Sequence, residues 1–190
     1  MPVEMEAKLK VDRLEPTRQR LQQLGAVRTG NHLETNALYD TPDAALEKAD
    51  QGLRIRSRVD LDDGSEDAIL TFKGPGQPGP FKNREEIETH VADPNAMAGV
   101  LNALGYHEVL SFQKKRESWG LEGCHVELDE IPHLGCFVEI EGASETIITD
   151  LQRKLGLEGI ASIRKSYIGL LLKWLKEQGR EERTIVFPTM

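Results

Sequence analysis

The sequence predicts an α+β fold in which helices pack outside an eight-stranded antiparallel sheet that closes into a barrel. Eight segments alternate charged and apolar side chains, which is the period-two pattern of a strand with one buried face. Most of these segments are joined by short turns, such as Asp62-Asp63-Gly64, and not by the long crossovers that parallel strands need. The length of 190 residues suits one domain of this kind.

The helices and strands are predicted from the periodicity of the apolar residues and from the Gly and Pro residues that begin or end each segment. Helices are predicted over residues 15–24, 42–49, 94–104, 145–155 and 162–178; Gly25 and Gly105 end the first and third, and Pro42 suits a first helical turn. The predicted domain covers residues 1–178, and the tail, 179–190, is irregular unless residues 184–187 add an edge strand. The eight predicted strands cover residues 3–11, 37–39, 53–60, 66–73, 83–91, 109–119, 123–130 and 135–142.

Composition limits the partners and the location that we expect. Lys and Arg number 24 against 32 Asp and Glu, so the net charge is −8, which is the opposite of a general nucleic-acid binder. The apolar run at residues 168–172 is too short to cross a membrane, and the first residues lack the basic and apolar segments of a secretion signal. Two cysteines, Cys124 and Cys136, do not build a disulfide framework. We therefore expect a cytoplasmic protein that binds neither nucleic acid nor membrane.

Full charges occupy one face of nearly every predicted strand. A single strand of this kind normally exposes its charged face to water. Across seven strands, however, uncharged polar residues are rare on that face, and the apolar faces are the natural place for helices to pack, so we favour a charged barrel interior. Residue parity places there the bases Lys8, Arg54, Arg56, Arg58, Lys73, Arg84, Lys114 and Arg116, and the acids Glu4, Glu6, Glu86, Glu88, Glu127, Asp129, Glu139 and Glu141.

The charge balance of this lining favours a charged ligand. Enclosed charges are costly unless they are paired, hydrated or bound to a charged ligand. The eight bases and eight acids of the lining cancel. Two divalent cations would add about four positive charges and a nucleoside triphosphate about four negative ones, so the two together would keep the interior neutral.

A series of short motifs follows the predicted strands in order. It begins with Glu4-Met5-Glu6-Ala7-Lys8 and continues with Tyr39-Asp40-Thr41-Pro42, Leu53-Arg54-Ile55-Arg56, residues 70–75, Lys114-Lys115-Arg116, Leu128-Asp129 and residues 135–141. The ExExK start and the motifs after it resemble the CYTH superfamily, the triphosphate tunnel metalloenzymes, over residues 3–178. That resemblance implies an eight-stranded antiparallel tunnel with helices outside. Residues 129–141 and 165–171 resemble the class IV adenylate cyclase branch.

The resemblance also implies roles for the charged residues. Mg²⁺ or Mn²⁺ would be held by Glu4, Glu6, Glu139 and Glu141, with Glu127 and Asp129 as further ligands or supporting groups; ordinary ion pairing with the bases is the alternative for these acids. Lys8 and Arg116 are the implied catalytic residues. Tyr39 and Asp40 fit a family motif, but a capping or packing role explains them equally well, and Lys165 and Tyr167 would either close the tunnel or lie on the surface. The triphosphate would be bound by Lys8, Arg54, Arg56, Lys73, Arg84, Lys114 and Arg116.

These motifs leave the reaction open between three functions. A class IV-type adenylate cyclase would convert ATP to cyclic AMP and pyrophosphate, and it is the first expectation. An inorganic or thiamine triphosphatase, which directs water at the terminal phosphorus, is the second, and a polyphosphate- or nucleotide-binding module without catalysis is the third. The expected partner is accordingly a nucleoside triphosphate or inorganic triphosphate, and a homodimer is left open. The five histidines share no zinc-type spacing, and no nucleophile motif or P-loop is present.

Overall fold

The computed structural model describes residues 5–76 and 84–188, which belong to two compact units. Of these, residues 5–31 and 115–181 form the first unit, and residues 32–76, 84–114 and 182–188 form the second. The prediction of a single domain over residues 1–178 stays a prediction.

All eight predicted strands and all five predicted helices are present, with a ninth short strand near the C-terminal end. The helices are α1 Glu15–Gln23, α2 Ala45–Lys48, α3 Pro94–Ala103, α4 Glu145–Lys154 and α5 Tyr167–Glu177. The strands are β1 Met5–Val11, β2 Val27–Asp40, β3 Gly52–Asp60, β4 Glu66–Lys73, β5 Glu86–His90, β6 His107–Leu121, β7 Cys124–Ile131, β8 Gly135–Gly142 and β9 Thr184–Ile185.

The sheet is antiparallel, as predicted, except at its shortest strand. The strand order is β1-β8-β7-β6-β2-β3-β4-β5, and β9 pairs in parallel with β6. In this order β1 and β5 are the end strands, and no ladder joins them within the residues that the structure describes. The predicted α+β class is therefore confirmed, whereas the predicted closure into a barrel is not.

The first unit buries one face of strands β1, β8, β7 and β6. Leu9, Leu128 and Val138 are at most 1% exposed and belong to an apolar cluster with Leu21 of α1 and Ile148 of α4. Because successive side chains of a strand point to opposite faces, the charged residues between these apolar positions lie on the other face of the sheet. Helices α1 and α4 cover the apolar face, so the charged face carries the candidate site.

The second unit repeats this arrangement on β2, β3 and β4. Tyr39 and Ile55 are buried against Leu101 of α3, with Met97 of the same helix packed beside them. The α3 helix begins after Asp93, whose carboxylate accepts hydrogen bonds from the backbone N–H groups of the first helical turn. The Arg residues of β3 alternate with this apolar set and therefore lie on the opposite face.

Two elements differ from their predicted bounds. Strand β2 spans Val27–Asp40, whereas only residues 37–39 were predicted, because the polar residues before them lack an apolar alternation. Helix α5 begins at Tyr167 and not at residue 162: Ser162 forms a β-bridge with Leu9, and the Ser166 hydroxyl caps the helix by accepting from the Gly169 N–H at 3.2 Å. Within the described chain, none of the helices combines the length and the apolar character that crossing a membrane requires.

Candidate active site

Acidic side chains from three strands share the charged face of the first unit. In the β1–β8 ladder Glu6 lies opposite Glu141, and Lys8 lies opposite Glu139. In the β7–β8 ladder Glu127 lies opposite Glu139, which places two carboxylates on adjacent strands at the same level. Register alone therefore brings the predicted acids Glu6, Glu127, Asp129, Glu139 and Glu141 to one surface.

Lys8 neutralises part of this acidic surface. Its ammonium nitrogen lies 3.1 Å from Oε1 of Glu139 and 3.2 Å from Oε1 of Glu6, and only 2% of the residue is exposed. Burial alone would lower the pKa of the Lys8 ammonium, but the two carboxylates outweigh burial and raise that pKa. Lys8 is therefore a fixed positive charge at the centre of the acids.

Arg116 is the second cation of this face, and it is held by several acids. Its Nε and Nη2 donate to the two oxygens of Asp129 at 2.7 and 2.6 Å, and Nη2 also donates to Glu139. Glu127 lies 3.8 Å from Arg116 Nε and accepts a hydrogen bond from the Ser118 hydroxyl. A two-point contact with a carboxylate fixes both the position and the plane of the guanidinium group.

The charges of this face do not balance. Burial and the negative charges of Glu6, Glu139 and Glu127 raise the pKa of Glu141 to about 7, although Arg116 acts in the opposite direction. A carboxyl whose pKa rises this far lies where further positive charge would be stabilising. The five acids are accompanied on the same face by Lys8, Arg116 and Lys10, and Lys10 is exposed beside the ring of Phe137.

Arginines and a buried acid form the charged face of the second unit. Arg56 lies opposite Asn36 in the β2–β3 ladder, and the carboxylate of Glu34 lies 3.7 Å from Arg56 Nε and 3.2 Å from the Lys114 ammonium. Glu34 is 1% exposed. One buried carboxylate therefore contacts two of the cations that the sequence assigned to phosphate binding.

Arg54 and Arg56 are incompletely neutralised. Arg54 donates to the Thr71 hydroxyl at 3.3 Å, and Glu88 lies 3.8 Å from its Nη2. Burial, together with the positive charge of Arg56, lowers the pKa of Arg54 to about 10. In the described part of the chain, the buried Nε atoms of both arginines have no hydrogen-bond partner. Buried donors without partners are costly, and an anion would remove that cost.

The remaining predicted bases are engaged elsewhere. Arg58 forms a two-point contact with Asp67, with Nε 2.7 Å from Oδ1, and Lys73 bonds to Glu86. Arg84 precedes β5, and its Nη2 donates to Asp50 Oδ1 at 3.3 Å. The structure thus brings Arg54, Arg56 and Lys114 to one surface, whereas Arg84 lies against the turn after α2.

A comparison with protein-family models decides the affiliation. The model of the CYTH domain matches residues 2–167. The chain belongs to the CYTH family. A protein of Methanocaldococcus jannaschii that carries a provisional adenylate cyclase name is 28% identical to it over 177 residues, which are 88% of this chain and 98% of that protein. The thiamine-triphosphatase of Macaca fascicularis is 31% identical over 122 residues, which are 55% of this CYTH chain and about half (49%) of the enzyme.

Solved structures show the same CYTH architecture. A protein of Pyrococcus horikoshii superposes with a TM-score of 0.77 at 29% identity, covering 90% of this chain and 99% of that one. A Hippeastrum protein, named as an adenylyl cyclase and described as having a dominant triphosphatase activity, superposes with a TM-score of 0.66 at 19% identity, over 96% of this chain and 98% of that one. At this identity the second likeness concerns the fold.

The acidic face of the CYTH chain fits a hard divalent cation by donor type. Mg²⁺ and Mn²⁺ prefer oxygen ligands, which carboxylates supply. Over residues 5–76 and 84–188, no three Asp, Glu, His or Cys side chains converge into a formed metal site. A cation would take over carboxylate oxygens that now bond to Lys8 and Arg116. Glu4, the fourth acid in the expected metal set, lies outside the described residues.

Sequence analysis did not identify two residues on the charged face of the second unit, and for a third residue it left two roles open. Glu34 and Asn36 were missed because they lie in the part of β2 that was not predicted as a strand. The available signal was that they lie two residues apart and share parity with Asp40, so that an extended strand places all three on one face. Of the two alternatives for Asp40, the capping role is correct, since its carboxylate accepts from the N–H groups of Leu46 and Glu47 at 2.9 and 3.0 Å.

Proposed function

We propose that the protein is a metal-dependent enzyme that acts on a triphosphate, with cyclisation of ATP as its first candidate reaction. The observation that carries the proposal is the incomplete neutralisation of two opposite charge sets, acids in the first unit and arginines in the second. Negative charge in excess favours a bound cation, and positive charge in excess favours a bound anion. A divalent cation would supply the positive charge, and a triphosphate would supply the negative charge.

The acids of the first unit are assigned to the cation. Glu6, Glu139 and Glu141, together with Glu4, would hold Mg²⁺ or Mn²⁺, and the pKa of about 7 at Glu141 supports this because a cation would restore its charge. Glu127 and Asp129 are either additional ligands or groups that support the site. When bound, such an ion lowers the pKa of an attacking hydroxyl or water and neutralises phosphate oxygens.

The bases are assigned to the phosphate oxygens. Arg54 and Arg56 offer buried Nε donors that have no hydrogen-bond partner among the described residues, and a guanidinium fork matches phosphate geometry. Lys114, 3.2 Å from Glu34, contributes a further positive charge, and Lys73 and Arg84 stay in the proposed set. Lys8 and Arg116 are the proposed catalytic residues, since fixed positive charge stabilises the charge that develops on the leaving group.

Cyclisation and hydrolysis differ only in the nucleophile. In cyclisation the ribose 3′-hydroxyl attacks the α-phosphorus and releases pyrophosphate; in hydrolysis water attacks the terminal phosphorus. The relative from M. jannaschii, matched over nearly its whole length, supports cyclisation through its name. The thiamine-triphosphatase relative supports hydrolysis as the second candidate. With ATP as the substrate, we also keep the expectation of a cytoplasmic location.

A product assay separates these reactions. The purified protein is incubated with ATP, tripolyphosphate or thiamine triphosphate in the presence of Mg²⁺ or Mn²⁺, with Glu139→Gln purified in parallel as the inactive control. Equal amounts of cyclic AMP and pyrophosphate support cyclisation. Phosphate release without cyclic AMP supports the triphosphatase. Binding of triphosphate without turnover indicates a binding module, and the absence of both overturns the proposal.

A further inference from the structure

A buried hydroxyl group contacts the acidic face of the first unit at Asp129. The Tyr167 hydroxyl donates to Asp129 Oδ2 at 2.8 Å, and the two residues are 8% and 0% exposed. Tyr167 is the first residue of α5, which is held there by the Ser166 cap. None of the roles assigned above uses this hydroxyl.

The hydrogen bonds of Asp129 restrict what its carboxylate can do. It accepts from Nε and Nη2 of Arg116 at 2.7 and 2.6 Å, and from the Tyr167 hydroxyl. A carboxylate has about four acceptor positions, so three donors occupy most of them. Both oxygens already serve Arg116, and a cation at Asp129 would have to displace a guanidinium group or a buried hydroxyl.

Glu139 differs from Asp129 in this respect. Its Oε1 pairs with Lys8 and its Oε2 with Arg116, so each oxygen meets a different base. It can therefore turn towards a cation while Arg116 keeps its two-point contact with Asp129. The anchoring and the ligating functions of this face are thereby divided between two acids.

The ring of Tyr167 is fixed independently of its hydroxyl. The Lys8 ammonium lies 4.3 Å from the ring centroid, and the Phe137 ring packs edge-on at 5.1 Å with an interplanar angle of 74°. Both contacts are kept by a phenylalanine. Tyr167→Phe consequently removes one hydrogen bond and leaves the packing in place.

We propose that Tyr167 and Asp129 are positioning residues that fix the guanidinium of Arg116 for the triphosphate, and that Asp129 is not a metal ligand. The catalytic part of this inference rests on the proposed function. The positioning part is a property of the protein without substrate or metal, which allows the two to be tested separately.

The first test needs neither activity nor metal. The exchange of the Arg116 Nε–H with solvent is followed by NMR, and the signal is assigned by its loss in Arg116→Lys. We expect the exchange to be slow in the wild type and about tenfold faster or more in Tyr167→Phe, because Asp129 loses the donor that orients it. Tyr106→Phe, which changes a tyrosine packed against the apolar core of the second unit, is the control. An unchanged exchange rate in Tyr167→Phe overturns the proposal.

The second test concerns metal affinity. Mn²⁺ binding is measured by calorimetry for the wild type, Asp129→Asn, Tyr167→Phe and Glu139→Gln. We expect Asp129→Asn and Tyr167→Phe to stay within about twofold of the wild type, since neither removes an oxygen that this proposal gives to the cation, and Glu139→Gln to lose about tenfold or more, since it removes a ligand. A loss in Asp129→Asn equal to that in Glu139→Gln overturns the assignment of Asp129.

The third test connects the hydroxyl to turnover through Arg116. Tyr167→Phe should lower kcat about tenfold with KM nearly unchanged, and the effect should disappear in an Arg116→Lys background. Additive effects, or an unaffected kcat, overturn the catalytic part. If the wild type turns over no triphosphate while the NMR result is as expected, the proposed function fails and the positioning of Arg116 stands.

Discussion

Lys8 lies directly opposite Glu139 in the β1–β8 ladder, and its ammonium nitrogen is 3.1 Å from the carboxylate, with side chains only 3% and 7% exposed. The pair joins a base assigned to the triphosphate with an acid assigned to the metal. Each therefore serves as the other's counter-charge in the protein without ligand. Substitutions at this site should consequently change stability and ligand binding together, and the sign of each effect follows from the local charges.

The first prediction concerns the stability of the metal-free protein. Glu139→Gln removes the acid shared by Lys8 and Arg116, and breaking a buried pair on one side is expected to lower the free energy of unfolding by about 3 kcal/mol. Glu6→Gln is the matched control, because its side chain is 21% exposed and its pair with Lys8 should contribute about 1 kcal/mol or less. Urea denaturation with a chelator measures both, and a larger loss in Glu6→Gln would contradict the prediction.

The second prediction separates binding from stability at the arginines. Arg54→Met removes a buried, incompletely neutralised cation, so the free protein should keep its melting temperature or gain slightly. Tripolyphosphate with Mg²⁺ should raise that temperature far less than in the wild type, since stabilisation follows RT ln(1 + [L]/Kd). Arg58→Met is the control: loss of the contact with Asp67 should lower stability while the ligand-induced shift is retained. The reverse pattern would exclude Arg54 from phosphate binding.

A third prediction concerns the pH dependence of stability at Asp40, a residue of the second unit that is not among the proposed metal ligands. Burial would raise the pKa of Asp40, but hydrogen bonds from the N–H groups of Leu46, Glu47 and Thr41 outweigh it and lower that pKa. A lowered pKa in the folded state means that the ionised carboxylate stabilises the fold above the pKa of the unfolded chain. This stability is lost as the pH falls through the folded-state pKa.

Asp40→Ala should therefore destabilise the protein by about 1 to 2 kcal/mol at neutral pH, the range of a lost helix cap. The difference from the wild type should shrink as the solution is acidified. Asp43→Ala is the control, because Asp43 is exposed and bonds to the Thr41 hydroxyl and not to the helix N–H groups. Thermal melts from pH 7 downwards measure the effect, and a constant difference across that range would contradict the role of the charge.

Most of the fold was predictable because the charge alternation and the sheet register carry the same information. Glu6, Lys8 and Glu139 were assigned to one face by parity, and the β1–β8 ladder places them there. The N-terminal part of β2 was not predictable, since residues 27–36 show no alternation of apolar side chains. These residues form a strand because they pair with neighbouring strands in the sheet. The start of α5 was missed because no Gly or Pro separates residues 162–166 from the helix in sequence, although Ser162 and Ile163 bond to β1.

The candidate site was predictable in its charges and not in their pairing. Parity identifies Arg54, Arg56 and Arg58 as one row. It cannot show that Arg58 bonds to Asp67 while the Nε atoms of the other two lack hydrogen-bond partners in the described chain. Which base meets which acid depends on side-chain rotamers and on neighbouring strands, and neither is encoded in a local pattern. The contacts of Glu34 were the least predictable, because the part of β2 that contains Glu34 was not predicted as a strand.

The last prediction concerns Glu34, which contacts Arg56 at 3.7 Å and Lys114 at 3.2 Å while 1% exposed. Glu34→Gln removes this counter-charge, so small anions should bind more tightly, and the rise in melting temperature caused by inorganic phosphate or sulfate should increase. Without anion the variant should be less stable, because two cations then share a buried site. Glu122→Gln, at the exposed pair with Lys154 outside the proposed site, is the control and should change neither quantity by much. An anion response equal to that of the wild type would show that Glu34 does not limit anion binding at these bases.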